Sequence, residues 1–257
     1  MNAKKINSIS DFNSFLDSEY KDLNPCSENW YPIMYYDETI DLKKKRYMTI
    51  GINPSLTENA EKNINEIFEI DQSSNNKGEE RFNKYRNDKA RKIKEIINYQ
   101  HELKYNKQII YFKTLDNFFE SVGKDFKRDV FHYDFCQLRN TDSGNVRKWI
   151  SHNNHLNKLV EHLDKILTLV KPKYVFIFNA TLVKILMEKK ESFFDRKNHN
   201  LKKAGKDFYF YNDYLDNNGV CTRNDTKFII GNQLSGGATS RVYRANLIAN
   251  VNRLINI

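Results

Sequence analysis

Cysteine is scarce in this chain: Cys26, Cys136 and Cys221 are the only three in 257 residues, far apart and without a Cys-x-x-Cys pair. That spacing excludes a disulfide scaffold, and it excludes a zinc or iron–sulfur site made from this chain's cysteines alone. Prolines number four and glycines nine, and no Pro- or Ser-rich stretch marks a linker, so one domain over 1–257 is expected. No apolar run approaches the ~18 residues of a membrane span. The opening Met1-Asn-Ala-Lys-Lys-Ile lacks the apolar stretch of a signal peptide. The expectation is a soluble cytoplasmic protein with reduced thiols. GxGxxG, P-loop and HExxH signatures are also missing.

What is present is charge and aromatic bulk. Lys and Arg number 42 against 33 Asp and Glu, a formal net charge of +9. This suits a polyanion such as nucleic acid, with a membrane surface or an acidic protein as the other partners of that charge. Lys, Asn and Ile are abundant throughout, so part of the excess is compositional. Hydrophobic residues at 39% and aromatics at 13% are too many for a disordered chain.

Periodicity orders the elements. Residues 1–45 read as an N-terminal extension with a short helix capped near Ser10 or Asp11. Arg46 to Gly51 reads as a buried strand leading into the loop Gly51-Ile-Asn-Pro-Ser55. Residues 58–110 read as a polar helical insertion. Leu115, Phe118 and Phe119 share one helix face, and Asp129 to Cys136 is a strand followed by a polar loop. The clearest helix runs from Leu156 to Val170 at three- and four-residue steps and stops before Pro172. Tyr174 to Phe178 is a strand, 180–188 a helix, Phe208 to Tyr211 an extra strand and Phe228 to Ile230 a last core strand. A helix from about Ser240 to Leu254 closes the chain, with Leu247, Val251 and Leu254 inward. Alternating uninterrupted apolar strands and helices predict an α/β fold, three-layer α/β/α, around a mostly parallel sheet of four to five strands.

Ligands of an open parallel sheet bind beyond the carboxyl ends of its strands. Three polar segments follow such ends: Gly51 to Thr57, Tyr133 to Arg139 and Gly231 to Arg241. Glycine lets backbone approach a ligand, and Asn offers a donor and an acceptor in one planar group. An ordinary turn with Asn53 capping its own loop, or a phosphate loop for a small phosphorylated molecule, fits the same spacing. His152, His155 and His162 read as a solvated helix face rather than a metal site. His132, two residues before Asp134, reads as a satisfied structural histidine on the same strand face.

Gly51-Ile-Asn-Pro-Ser-Leu resembles the first motif of the uracil-DNA glycosylase superfamily, most closely its mismatch-specific uracil/thymine branch. Asn232, Ser235-Gly236 and Ser240-Arg241-Val242 resemble that branch's second motif with a few inserted residues, and residues 130–136 and 174–178 fall where its intermediate strands do. The resemblance spans roughly 46–255. It implies a monomeric, metal-free and cofactor-free enzyme of base excision repair. Such an enzyme flips a deaminated or modified base out of DNA and hydrolyses its N-glycosidic bond. Asn53 would hold the attacking water through its amide oxygen. An amide takes no proton at neutral pH, so Asn53 would orient the water without acting as a general base. Relatives with Asp at that position would be faster. Asn232 would donate a hydrogen bond to the base.

The resemblance also implies a base pocket and a DNA-facing loop. Backbone amides near Ile52 and Ser55 would bind a base carbonyl, and Phe82 would stack on the flipped base, with Phe68 and Tyr85 competing for that part. Arg81 and Lys84 would meet phosphate. Asp134 stands where faster relatives carry Asn. A carboxylate only accepts, so Asp134 suits a base bearing an exocyclic amino group better than uracil. Leu234 or the Gly236-Gly237 tip would fill the gap left by the flipped base, while Ser235, Thr239, Ser240, Arg241 and Arg244 would contact phosphates. No lysine occupies these motifs as a nucleophile, which implies base release without strand cleavage. The alternative is a glycosylase-fold protein that binds damaged or foreign DNA with little or no catalysis, as the off-pattern Asp134 and Asn232 would allow.

Overall fold

The computed structural model describes residues 6–20, 36–52, 58–71, 73, 84, 92, 94–102, 110–137, 143–151, 155–179, 181–182, 185–186, 203–204, 208–209, 220–223, 226–230 and 241–255. In chain order its elements are α1 (Ile9–Tyr20), β1 (Tyr47–Gly51), α2 (Glu58–Ile67), α3 (Ile110–Ser121), α4 (Phe126–Asp129) and β2 (Val130–Asp134). There follow α5 (Ser143–Ser151), α6 (His155–Val170), β3 (Tyr174–Ile177), β4 (Lys203–Ala204), β5 (Phe208–Tyr209), β6 (Val220–Arg223), β7 (Thr226–Ile230) and α7 (Arg241–Ile255).

The main sheet has five strands in the order β2-β1-β3-β7-β6, and β4 pairs with β5 in a separate two-stranded ribbon. β3 runs parallel to β1 and to β7, with Tyr174 opposite Tyr47 and Lys227. Only the edge strand β6 is antiparallel, to β7. The predicted α/β class with a mostly parallel, helix-flanked sheet is therefore present. Every residue of β1, β2 and β3 is buried. Burial on both strand faces requires cover on both sides, which is why these strands read as continuous apolar runs.

The chain forms two compact units, one of 1–40, 52–103 and 134–169, the other of 41–51, 104–133 and 170–257. In the second unit, Tyr47, Tyr174, Phe176 and Ile229 of the sheet pack with Leu115, Phe118 and Phe119 of α3 and with Leu247, Val251 and Ile255 of α7. The inward positions on α7 thus end at Ile255, and Leu254 is partly buried beside them. Phe118 and Phe119 meet Phe176 in edge-to-face contacts at 5.9 and 5.2 Å, geometry that the ring quadrupole favours. α3 ends in a Schellman turn: Lys124 N–H donates to Phe119 O and Gly123 N–H to Glu120 O, with Gly123 at φ +72.

In the first unit, α1 is capped by Ser8, two residues before the nearer predicted cap, Ser8 Oγ accepting from the Asp11 amide at 3.0 Å. The segment read as an extension is anchored rather than loose. Asn13 on α1 is buried, donates to Tyr36 O at 2.8 Å and accepts from the Tyr36 amide at 3.0 Å. α2 ends in the same Schellman pattern as α3, with Ile70 N–H to Asn65 O and Glu69 N–H to Glu66 O, but its left-handed residue is Glu69 at φ 53. α6 buries Leu156, Leu159, Leu163, Ile166, Leu167 and Val170 of the predicted stripe, while Val160, also read into it, is half-buried. Among the described residues, no helix is long and apolar enough to cross a membrane.

Candidate active site at the carboxyl edge of the sheet

β1, β3 and β7 are parallel, so Gly51, Ile177 and Ile230 all end at one edge of the sheet. The chain leaves β1 to form β2 on one side and then returns to β3 on the other, as the order β2-β1-β3 requires. The β1/β3 crevice is thus a topological switch point, where open α/β sheets place their ligands. In sequence, residue 52 follows β1 and residue 231 follows β7, and of the two segments read as loops here, 53–57 and 231–240 lie outside the described residues.

The end of β1 is tied to the end of β2 by one main-chain bond: Cys136 N–H donates to Ile52 O at 2.8 Å. Ile52 is 8% exposed, Asp134 4%, and Cys136 is a buried free thiol. This bond sets the residue before Asn53 beside the segment that carries Asp134. Asn53, Ser55, Phe82, Asn232, Leu234, Ser235, Gly236, Gly237, Thr239 and Ser240 lie outside the described residues, as do Tyr85 and Arg81. Arg241 opens α7, and Arg244 on that helix is exposed.

Gln137, a residue that sequence reasoning assigned no role, holds the exit of β2. It is fully buried. Its Nε2 donates to Asp134 O at 2.7 Å and its Oε1 accepts from the Tyr20 hydroxyl at 2.7 Å. A glutamine has one end of each polarity, so a single side chain satisfies both a strand-end carbonyl and a buried phenol. The only sequence signal was its place in the polar Tyr133–Arg139 segment.

Asn179, two residues past β3, was missed too. Its Oδ1 accepts from the Leu182 amide at 2.9 Å, an N-cap on the helical residues 181–182. Asn directly after a buried strand was the available signal.

His132 has the expected structural role. It is 1% exposed, its Nδ1 shares a 2.8 Å hydrogen bond with Thr49 Oγ1, and Phe112 and Tyr111 approach its ring edge-to-face. Phe68, one of the candidate stacking rings, is 2% exposed and belongs to the interior. Lys84 Nζ donates to Glu69 O at the end of α2.

The histidines near α6 correct the solvated-face reading. His155 is half-buried, bonds Trp149 O through Nδ1 at 2.9 Å and stacks on that indole at 4.1 Å. His162 is 2% exposed, and neither ring nitrogen has a hydrogen-bond partner. Phe15 and Tyr20 pack edge-on against it at 5.0 and 5.8 Å, and Glu19 Oε2 lies 3.7 Å from Nε2. Burial pushes its pKa down to about 4, against the pull of Glu161 and with a smaller push from Lys165 and Lys158. It is therefore a neutral imidazole at physiological pH. Its place three residues after Leu159 and four before Ile166 put it on the apolar stripe. Among the described residues, no group of three His, Cys, Asp or Glu side chains is placed to hold a metal ion.

Neither a family model nor a curated protein matches this chain.

Proposed function

We propose that the protein is a DNA glycosylase of the uracil-DNA glycosylase superfamily, acting at the carboxyl edge of the sheet. The observation that carries this reading is the Cys136–Ile52 bond, which holds the residue before Asn53 beside the segment that carries Asp134 at the end of β2. The Gly51-Ile-Asn-Pro-Ser motif, the second motif after β7 and the net charge of +9 support it. In the reaction, water oxygen bonds to the anomeric carbon as the glycosidic C–N bond breaks. The bonding pair leaves with the base, and the proton of the water passes to solvent. Asn53 orients the water, while Asn232 and the amides near Ile52 and Ser55 receive the departing base. Asp134 accepts from an N–H donor, so the preferred base carries an exocyclic amino group.

The test is a gel assay of abasic-site formation. Oligonucleotides carrying uracil, G·T, hypoxanthine, 5-substituted cytosines or modified adenines are used in duplex and single-stranded form. Abasic product from at least one, reduced at least about 100-fold by Asn53→Ala, is expected. No product from any of them overturns the reading. The off-pattern Asp134, buried at 4% exposure, favours a second reading as a DNA-binding protein without catalysis. Tight, salt-sensitive binding to modified DNA with no base release distinguishes that case.

A further inference from the structure

The opposite edge of the sheet carries a different chemistry. Arg46 and Lys173 stand immediately before β1 and β3, and Lys227 is the second residue of β7. They form a row: Lys173 N–H donates to Arg46 O at 2.9 Å, and Lys227 N–H to Lys173 O at 3.1 Å. Neighbouring positions of such a row are about 4.8 Å apart. All three side chains are exposed, as is Lys171 just before them. The ammonium groups of Lys173 and Lys227 gather at one ring, 5.3 and 5.8 Å from the centroid of Tyr174. Lys124 lies over Tyr47 at 5.8 Å, and the two tyrosine rings stack at 6.0 Å and 16°.

Three described carboxylates near this edge are already engaged. Asp41 pairs with Lys44 at 3.3 Å, Asp129 with Arg128 at 2.7 Å, and Asp125 caps α4 by accepting from the Arg128 amide at 2.6 Å. The same three flank the buried ammonium of Lys45, which donates to Lys127 O. Arg46, Lys171, Lys173 and Lys227 have no ion-pair partner among the described residues. Like charges held together repel, and the tyrosine faces offset this only in part. A row of cations with no ion-pair partner among the described residues, at regular spacing, is complementary to the repeating phosphates of a nucleic-acid backbone.

A lipid surface fits less well, because among the described residues nothing apolar projects beside the row. Tyr47 and Tyr174 are 7% and 2% exposed. The exposed large hydrophobic among the described residues, Ile110, opens α3, whose other end leads to Lys124. Twelve helical residues put Ile110 about 18 Å away along that axis.

We propose that the amino edge of the sheet, centred on Arg46, Lys173 and Lys227, binds nucleic-acid phosphates independently of the site at the carboxyl edge. It holds a stretch of backbone that the carboxyl edge does not contact, without reading sequence. This goes beyond the glycosylase reading and does not need it.

The test is fluorescence anisotropy with a labelled, unmodified 20-bp duplex between 50 and 200 mM salt. Wild type is compared with the triple variant Arg46→Ala, Lys173→Ala, Lys227→Ala and with the control triple Lys62→Ala, Lys94→Ala, Lys158→Ala. Circular dichroism confirms that both fold. The edge variant is expected to bind at least about tenfold more weakly at 50 mM salt. Its slope of log K against log salt should flatten by about 2 to 3, at roughly 0.9 per lost phosphate contact. The control should stay within about twofold of wild type. Equal losses in both triples would reduce the effect to net charge and overturn the proposal. So would a wild type that ignores the duplex at 50 mM salt yet binds phosphatidylserine vesicles. The duplex has no modified base, so this test and the base-release test stand or fall separately.

Discussion

The hydroxyl of Tyr20 donates to Gln137 Oε1 at 2.7 Å, across 117 residues of sequence. Both groups are buried, and the same glutamine holds Asp134 O. Helix α1 is thereby part of what fixes the end of β2. Removing the hydroxyl with Tyr20→Phe strands a buried acceptor, which costs about 1–3 kcal/mol, whereas removing both partners costs less than the sum of the two single changes. Urea unfolding of Tyr20→Phe, Gln137→Leu and the double variant measures this. Strictly additive losses would show that the two side chains do not act together.

His162 gives a pH prediction with a definite sign. The folded chain keeps this imidazole neutral down to about 4, whereas an unfolded chain protonates it near 6.5. Between those values the unfolded state binds the extra proton, so the contribution is full above pH 6.5, falls as pH drops and levels off near 4. Going from pH 7.5 to 5 should cost on the order of 2 kcal/mol at this residue alone. Glu19, Glu161, Lys158 and Lys165 face it and remain in a His162→Leu variant, whose loss over the same range should be smaller by that amount. Neither nitrogen is hydrogen-bonded, so the variant should be no less stable than wild type at pH 5. Urea midpoints at the two pH values decide it, and equal losses in both proteins would contradict a neutral buried imidazole.

The two Schellman turns predict opposite tolerances to alanine. Gly123 sits at φ +72 with nothing within 4 Å of an added Cβ, so Gly123→Ala meets only the left-handed backbone penalty, about 1 kcal/mol. Glu69 already bears that penalty at φ 53. Glu69→Ala therefore loses little beyond the exposed 3.3 Å pair with Lys92, at most about 1 kcal/mol. Thermal or urea denaturation should rank Gly123→Ala below Glu69→Ala, and the reverse order would mean that the turns are not equivalent.

These residues show what the sequence could and could not disclose. The parallel strands and α6 were legible because burial on both faces, or on one stripe, imposes a run or a period that single residues cannot hide. α5 was not, since among its described side chains Ser143–Ser151 commits only Val146 and Ile150 to full burial and its first turn, Ser-Gly-Asn, reads as loop. α4 has four residues and one buried side chain, Phe126. The antiparallel β6 is an edge strand, defined by its pairing with β7 more than by its own pattern. At the candidate site the Asp134 strand end was visible as a polar exit from an apolar strand, whereas the Asn53 segment, read the same way, lies outside the described residues. Gln137 was not, because its partner Tyr20 is distant in sequence and a polar pair leaves no periodic trace.

Asp134 sets the last prediction, which depends on the glycosylase reading. At 4% exposure its side chain sits in the interior at the end of β2, where the wrong hydrogen-bonding polarity toward a base is costly. A carboxylate accepts from an exocyclic amino group or a ring N–H but repels a carbonyl oxygen, whereas an amide serves both polarities of uracil. Asp134→Asn should thus shift the ratio of single-turnover base release toward uracil and away from amino-bearing bases by at least about tenfold. The change conserves volume, and the Gln137 bond to the main-chain oxygen of residue 134 survives it, so the strand end keeps its position. Measured with the paired oligonucleotides under enzyme excess, an unchanged ratio would mean that residue 134 does not read the base, and the carboxylate would then be a structural group at the end of the strand.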